Sequence, residues 1–276
     1  MPKSTPSSLS SRTAASTNKN AFSVLMSSRP TSTTPTSSTA PRPARTTFAD
    51  ALLPYITTPS SFPPSVVLHH STDFVWIRDK YAKSFIHTLL LPRDPARNTQ
   101  HPLELLSRDV EFLEKVRVEA AKLRGVVARE LERRFGGNGK QGGRNWVDEV
   151  LVGVHAHPSL RHLHVHVLSR DLSGEALRKA SHYNSFTTGF FVRLEEFPLS
   201  GEELEKRGGG WRKEELRCWR CGRGFGRSFV KLKAHLGVEF EAWKAAPMEE
   251  GEEEGEGEEG EEDGREGGAG EVGETG

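Results

Sequence analysis

Apolar residues alternate with histidines at positions 162–168, which read HLHVHVL. A period of two is the period of a β-strand, so the pattern predicts a strand with imidazoles on one face and aliphatic side chains on the other. The three histidines are His162, His164 and His166. We expect the aliphatic face to pack into a core and the histidine face to look into a cleft.

A helical period replaces this alternation between Asp109 and Phe135. Apolar residues recur there at steps of three and four, which predicts one long amphipathic helix. They are Val110, Leu113, Val116, Ala120, Leu123, Val127 and Leu131.

Shorter elements flank the long helix. A helix is predicted at 47–56, with Phe48, Leu52 and Leu53 on one side. Strands are predicted at 74–79, 84–92 and 149–155, and a turn at 79–82 joins the first two as a hairpin. The elements together predict an α+β fold in which the long helix packs on an antiparallel sheet.

The two ends of the chain have a different composition. Residues 1–45 contain 20 Ser and Thr and six Pro, a composition typical of disorder, and the acidic Glu/Gly segment 248–276 is also expected to be disordered. Within the first segment, Asn20–Met26 (NAFSVLM) is the only apolar cluster. It is either a docking motif for a protein partner or a random patch.

Charge is distributed unevenly along the chain, although Lys and Arg number 38 and Asp and Glu also number 38. Residues 249–276 hold 14 acidic residues and one basic residue, so the rest of the chain has 37 basic and 24 acidic residues. A basic body fits a protein that handles a phosphate backbone.

Clustered histidines serve two chemistries, zinc binding and nucleophilic catalysis on phosphorus. Three zinc ligands on one strand would need a carboxylate or a distant histidine to complete the shell, so we favour phosphate chemistry. Cys218 and Cys221 are the only cysteines. Their spacing indicates metal or redox chemistry before a structural disulfide.

Motifs around the histidines and a later finger-like segment carry a family resemblance. HLHVHVL resembles the signature of the histidine-triad family. Its surroundings, GVHAHPSLRHLHVHVLSRD at 153–171, HYNSF at 182–186 and DKYAKSFIHTLLLPR at 79–93, are similar to the aprataxin branch, whose members remove AMP from adenylated DNA ends. The resemblance covers roughly residues 47–245.

The resemblance implies a role for each matching residue. His164 matches the nucleophile, and His162 and His166 flank it to orient it and to bind phosphate oxygens. His155 matches a general acid for the leaving group, although His157 is a second candidate. Three further positions match residues that contact substrate: Ser159, Lys83 and His87.

The last segment resembles the zinc finger of fungal aprataxins, in which a glutamate takes the fourth ligand position. The implied ligands are Cys218, Cys221, His235 and Glu239, and this set suits a tetrahedral zinc ion. A finger that only ties the C-terminal segment to the catalytic domain is the alternative to a DNA-binding finger. No metal is expected to be needed at the histidines.

We therefore divide the chain into a tail (1–45), a histidine-triad catalytic domain (46–200), a zinc-finger DNA-binding module (201–247) and an acidic tail (248–276). The expected function is hydrolysis of DNA 5′-adenylates through a covalent histidine–AMP intermediate, in single-strand break repair. Two alternatives are a general histidine-triad nucleotide hydrolase and a non-catalytic zinc-dependent DNA-binding adaptor.

The sequence also suggests where and with what the protein acts. No apolar run is long enough to span a membrane, and no signal-peptide stretch is present at the start, so an intracellular protein is expected. We expect a monomer in the nucleus that acts on nicks and strand breaks. A mitochondrial form is a further possibility, because the first segment is rich in Ser and Arg and has no acidic residues.

Overall fold

The computed structural model describes residues 47–136 and 144–245. The predictions for the tail 1–45, for Asn20–Met26 and for the acidic tail 248–276 lie outside the described residues. In the described part of the chain, no helix combines the length and the apolar character that crossing a membrane requires.

A six-stranded antiparallel sheet, with strand order β1-β2-β3-β5-β4-β6, forms the centre of the fold. Its strands are β1 (Val67–His70), β2 (Phe74–Arg78), β3 (His87–Pro92), β4 (Val150–His155), β5 (Val165–Ser169) and β6 (Phe191–Arg193). The helices around it are α1 (Leu53–Thr57), α2 (Pro102–Arg108), α3 (Val110–Phe135), α4 (Ala180–Thr187), α5 (Gly201–Lys206) and α6 (Phe229–Ala245). The α+β architecture predicted from the sequence is confirmed.

Helix α3 covers one face of the sheet. Its first turn is capped by Asp109, whose Oδ1 accepts a hydrogen bond from the Phe112 N–H at 3.0 Å. The predicted stripe from Leu113 to Leu131 is at most 2% exposed and packs against Val165 and Val167 of β5. Val110 was wrongly placed on this stripe, because it is 53% exposed at the start of the helix.

The segment predicted as a helix at 47–56 is broken. A 3-10 turn at Phe48–Asp50 is followed by α1, which begins at Leu53 with Pro54 in its first turn. Pro54 has no N–H to continue a helix from the preceding turn, so the helix restarts there. The expectation that Phe48, Leu52 and Leu53 share one side of a single helix was wrong, because Leu52 is buried while Phe48 and Leu53 are 68% and 36% exposed.

Two predicted strands began too early. Strand β3 begins at His87 and not at 84, because the Phe85 and Ile86 N–H groups bond the side chains of Asp171 and Ser169 instead of β2. Strand β5 begins at Val165 and not at His162, because the N–H of Leu163 bonds the Asn98 carbonyl at 2.7 Å. Both strand starts are displaced by contacts with residues far away in the chain.

The finger packs directly on the sheet's second face. Leu232 and Leu236 of α6 share a buried cluster with Leu168 and Leu172, which lie at and just after the end of β5. The Tyr183 hydroxyl of α4 donates to the Arg217 carbonyl at 2.7 Å and accepts from the Trp219 N–H at 2.8 Å. Helix α4 therefore holds the start of the finger against the histidine-bearing face.

Candidate active site and metal centre

Four histidine rings meet on the second face of the sheet. The His166 ring, on β5, lies 5.2 Å from His87 on β3 and 4.4 Å from His155 on β4. His164, just before β5, has its ring centroid 4.9 Å from that of His166. Residues from three adjacent strands thus form one imidazole cluster.

Aromatic side chains enclose this cluster. Phe186 of α4 lies 5.2 Å from the His166 ring and 4.7 Å from the His155 ring, and Phe191 of β6 lies 5.5 Å from Phe186. His164 and His166 are 6% and 5% exposed, so the histidine face is more enclosed than the cleft that the sequence predicted. In such an enclosed site electrostatic interactions are stronger than in water.

A backbone hydrogen bond sets the tautomer of His164. Its Nδ1 lies 2.8 Å from the His162 carbonyl oxygen, which can only accept, so Nδ1 carries the proton. Burial lowers the pKa of His164, which keeps the ring neutral. Neutral His164 therefore has its lone pair on Nε2, the form that a nucleophile requires.

A chain of hydrogen bonds sets the tautomer of His166 in the same way. The Lys83 N–H donates to His87 Nδ1 at 3.1 Å, so the proton of neutral His87 is on Nε2. That Nε2–H donates to His166 Nδ1 at 2.9 Å, which leaves the His166 proton on its own Nε2. His166 Nε2 is buried and has no partner among the described residues. It is therefore a donor available to a ligand.

Asp79 lies beside this chain as a charged neighbour. Its Oδ2 lies 3.4 Å from His87 Nε2, and Asp79, His87 and His166 each offer an atom within 4.8 Å of the others. A histidine that binds a metal normally donates a proton from its other nitrogen. His87 Nδ1 instead accepts the Lys83 N–H, so the two histidines fit a hydrogen-bond chain and not a metal site.

His155 is neutral in this geometry. Burial, together with the neighbouring histidines, lowers its pKa to about 3. Its Nε2 is buried without a partner in the described part of the chain, while a hydrogen bond to the Ser185 backbone occupies the ring's other side. The protonated acid expected from the sequence therefore requires negative charge from a bound phosphate.

The structure separates the two candidates for that acid. His155 contacts His166, whereas the exposed His157 lies near His101, with ring centroids 5.9 Å apart. Ser159 is exposed in the connection between β4 and β5. Among the described residues, no hydrogen bond links Ser159 to the histidine cluster.

His162 stands apart from the other rings of the triad. It lies before β5, and Asp50 and Arg161 are the charged groups that influence it. Its contribution to the cluster is the carbonyl that holds His164, and its own buried Nδ1 has no partner within the described ranges. The alternation alone had placed all three imidazoles on one strand face.

Lys83 brings a positive charge to the edge of the cluster. Its half-buried ammonium group donates to the Tyr81 carbonyl, and burial lowers its pKa. The ammonium group also lowers the pKa values of His87, His155 and His166. A cation at this position suits a phosphate-binding site.

Asp171 is a functional residue that the sequence reasoning missed. Its buried carboxylate accepts hydrogen bonds from the Phe85 N–H at 2.9 Å, from the Ser169 hydroxyl and from Ser173. It therefore joins the loop before β3, which carries Lys83, to the end of β5. A carboxylate two residues after a strand is a weak signal, because its partners are distant in the chain.

The metal centre lies in the finger. One atom from each of four side chains lies within 4.8 Å of the others, and these are Cys218, Cys221, His235 and Glu239. His235 Nε2 is 3.1 Å from Cys221 Sγ and 3.1 Å from Glu239 Oε1. These spacings suit the tetrahedral shell of a structural zinc ion. Because His235 and Glu239 are one helical turn apart on α6, both reach the same point.

Family models match two parts of the chain. Residues 187–242 match the C2HE / C2H2 / C2HC zinc-binding finger, and residues 56–182 match the C-terminal binding domain of the scavenger mRNA decapping enzyme. With the imidazole cluster on an antiparallel sheet, these matches define a histidine-triad hydrolase that carries a zinc finger.

Similar proteins show to which family of histidine-triad hydrolases the chain belongs. The chain is 36% identical over 197 residues to the aprataxin-like protein of Schizosaccharomyces pombe, covering 71% of this chain and 83% of that relative. It is 30% identical over 208 residues to the aprataxin-like protein of Saccharomyces cerevisiae, covering 69% and 94%. The solved structure of Hnt3 in complex with DNA and guanosine superposes with a TM-score of 0.64 at 35% identity, over 73% of this chain and 100% of Hnt3. The chain belongs to the aprataxin family.

Proposed function

We propose that the protein is a DNA 5′-adenylate hydrolase that removes AMP from abortive ligation intermediates. The observation that carries the proposal is the 2.8 Å contact between His164 Nδ1 and the His162 carbonyl, because it leaves His164 Nε2 as a free nucleophile. Membership of the aprataxin family supports an adenylate as substrate. The solved structures of Hnt3 in complex with DNA support a substrate in which the adenylate is attached to DNA.

The reaction proceeds in two displacements. His164 Nε2 attacks the AMP phosphorus, the bond from that phosphorus to the bridging oxygen breaks, and the DNA 5′-phosphate leaves with that oxygen. Water then attacks the same phosphorus and gives a proton to His155, which lost its own proton in the first displacement, while the nitrogen–phosphorus bond breaks and AMP is released. The two displacements together replace one difficult displacement by two easier ones.

The surrounding residues stabilise these steps. His166 donates its unpaired Nε2–H to a non-bridging oxygen, and the Lys83 ammonium group offsets the charge of the phosphates. His155 supplies a proton to the leaving oxygen. The negative charge of the bound phosphates raises the pKa of His155 from its low value in the free protein. Substrate binding therefore protonates His155, so that it can act as the acid.

The test uses a nicked duplex with a 5′-adenylate and compares wild type with His164→Ala and His157→Ala. We expect AMP release by wild type and His157→Ala, and a loss of at least about 1000-fold for His164→Ala. Mass spectrometry of a rapidly denatured reaction should locate AMP on a peptide that contains His164. Release of AMP by His164→Ala at the wild-type rate would place the nucleophile elsewhere.

The same assay distinguishes the two alternative functions. Equal turnover of adenylated DNA and of AMP-lysine, with no effect of the finger, would indicate a general nucleotide hydrolase. DNA binding without turnover by wild type would indicate an adaptor. A nuclear location is a further proposal, which imaging of the tagged full-length chain would test.

A further inference from the structure

A loop that follows β5 lies against the loop that carries Lys83. We call residues 171–176 the bridging loop. Its Gly174 N–H donates to the Lys83 carbonyl at 3.0 Å, and its Ala176 N–H donates to the Ala82 carbonyl at 3.2 Å. A Cβ at Gly174 would be 2.5 Å from the Ala82 carbonyl oxygen, so only glycine allows this approach. The bridging loop therefore determines where the backbone around Lys83 lies.

The contact from Ala176 acts on the peptide group between Ala82 and Lys83. The oxygen of that group accepts the Ala176 N–H, and its N–H donates to His87 Nδ1 at 3.1 Å. Because a peptide group is planar, a contact that holds its oxygen also restricts the direction of its N–H. The bridging loop therefore helps to set the tautomer of His87 and, through the 2.9 Å contact with His87, that of His166.

The bridging loop has a backbone conformation that needs support from outside. Leu172 has a φ of 46°, in the left-handed region that residues with a Cβ disfavour. A residue keeps such a conformation only where the surrounding contacts determine it. Contacts from other parts of the chain are therefore required to hold the loop against the Lys83 backbone.

The zinc finger supplies two of these contacts. The half-buried ammonium group of Lys233 on α6 donates to the Gly174 carbonyl at 3.1 Å and to the Ser173 carbonyl at 3.4 Å. The Trp219 Nε1–H donates to the Asp171 carbonyl at 3.3 Å. Hydrogen bonds from a charged donor are stronger than neutral ones, so Lys233 is the stronger of the two contacts.

The position of Lys233 is fixed by its neighbours on α6. Leu232 and Leu236 are buried against the end of the sheet, and His235 belongs to the metal centre. The ammonium group is thus held at the bridging loop by a helix that the zinc ligands and the core both anchor.

We propose that Lys233 is a positioning residue for the catalytic histidines, so that the finger contributes to the chemical step. This inference rests on the proposed function and adds to it a residue from outside the histidine-triad domain. Lys233 acts through the backbone carbonyls of the bridging loop and not on the substrate. Its loss should therefore lower the rate of the reaction and leave the affinity for a small substrate unchanged.

The test compares two substitutions of Lys233 in the full-length protein. Lys233→Met removes the donor and keeps the length of the side chain, whereas Lys233→Arg keeps charged N–H donors. The matched control is Lys231→Met on the same helix. Lys231 is exposed, and in the part of the chain that the structure describes its side chain forms no hydrogen bond or ion pair.

The kinetic substrate is AMP-lysine, a small adenylate that has no DNA to bind. We expect the single-turnover rate at saturation to fall about 10-fold for Lys233→Met, with the half-saturating concentration within about 2-fold of wild type. Lys233→Arg should restore the rate to within about 3-fold, and Lys231→Met should match wild type. A change in the half-saturating concentration alone would place Lys233 on the substrate and overturn the proposal.

The tautomers give a readout that does not depend on activity. Nitrogen-15 chemical shifts of the imidazoles distinguish a protonated from an unprotonated ring nitrogen. Wild type, Lys233→Arg and Lys231→Met should each show a single tautomer at His87 and at His166, and Lys233→Met should show a mixture. Unchanged shifts in Lys233→Met would overturn the proposal. Loss of bound zinc by Lys233→Met would assign the effect to the fold of the finger and overturn it as well.

The two readouts separate this inference from the proposed activity. Wild type that releases no AMP from adenylated DNA, with tautomers that change in Lys233→Met, would remove the proposed function and keep the positioning role. Wild type that releases AMP, with tautomers that stay unchanged in Lys233→Met, would keep the function and remove the positioning role.

Discussion

His87 Nε2 lies 2.9 Å from His166 Nδ1, and the Lys83 N–H on the other side of the ring fixes which atom donates. The loop before β3 therefore determines where the proton of His166 is found. In this way a backbone amide outside β5 fixes the His166 donor that we propose binds a phosphate oxygen.

Substitution of His87 by leucine should remove that control. The His166 tautomer would no longer be fixed, and we expect the single-turnover rate of AMP release to fall by about 100-fold, as for a misplaced catalytic group. His87→Gln keeps an N–H donor and an oxygen acceptor, so its rate should stay within about 10-fold of wild type. If His87→Leu released AMP as fast as His87→Gln, His87 would not be the residue that fixes the tautomer of His166.

Acid should destabilise the fold through its buried histidines. Burial lowers the pKa of His87 to about 4 and of His155 to about 3, whereas histidines in the unfolded chain titrate near pH 6.5. Between these values the unfolded chain binds more protons than the folded protein. The free energy of unfolding should therefore fall as pH drops from about 6.5 to about 4, by about 1.4 kcal/mol per pH unit for each such histidine.

Urea unfolding across this pH range tests the slope. His87→Gln removes one titrating group and should make the dependence on pH less steep. The same change at the exposed His70 is the control and should leave the slope as in wild type. Unfolding free energies that stay constant from about pH 7 to about pH 5 would contradict the prediction.

The strand and its histidines were readable from sequence because alternation is a local signal. Val165 and Val167 face the core, and His166 faces the other way, as the period of two requires. The start of the strand was not readable. It depends on the Asn98 carbonyl, which accepts a hydrogen bond from the Leu163 N–H. No residue near Leu163 in the sequence indicates that contact.

The zinc ligands were predictable because a short segment of the chain resembles the finger of fungal aprataxins, and that resemblance implied Glu239 as the fourth ligand. The partners of the active site were not. Asp79 was interpreted only as a turn residue, yet it reaches His87, and Asp171 was missed although it anchors the loop that carries Lys83. Such pairs join strands that are neighbours only after the sheet has formed.

Arg220 should contribute to zinc affinity without being a ligand. Its Nη1 donates to Glu239 Oε2 at 2.8 Å, while Glu239 Oε1 faces His235. Two thiolates and a carboxylate carry one negative charge more than a zinc ion neutralises, and the guanidinium offsets it. We expect Arg220→Ala to weaken zinc binding by about 10- to 100-fold, as for other groups that orient a metal ligand.

Competition with a chromophoric chelator measures this affinity in the full-length protein. Arg227→Ala is the control, since it removes an exposed arginine of the same finger that is outside the set of ligands. Equal zinc affinities for Arg220→Ala and Arg227→Ala would show that Glu239 needs no orienting partner.

Only glycine at position 153 leaves room for Phe191, one of the aromatic residues that enclose the histidines. It lies beside His166 in the sheet, and a Cβ there would be 2.8 Å from the Phe191 ring and closer still to the Val192 carbonyl. Gly153→Ala must therefore push Phe191 away from its contacts with His155 and His166. Overpacking of this kind typically costs about 1–3 kcal/mol, so the thermal midpoint should fall by several degrees.

Gly189→Ala is a matched control, because a Cβ at Gly189 meets no atom within 4 Å. Its thermal midpoint should stay close to that of wild type. AMP release should slow for Gly153→Ala at a temperature where it is still folded, because displacement of Phe191 opens the cluster to water. If Gly153→Ala and Gly189→Ala had the same midpoint and the same rate, the packing of Phe191 over Gly153 would have no part in enclosing the site.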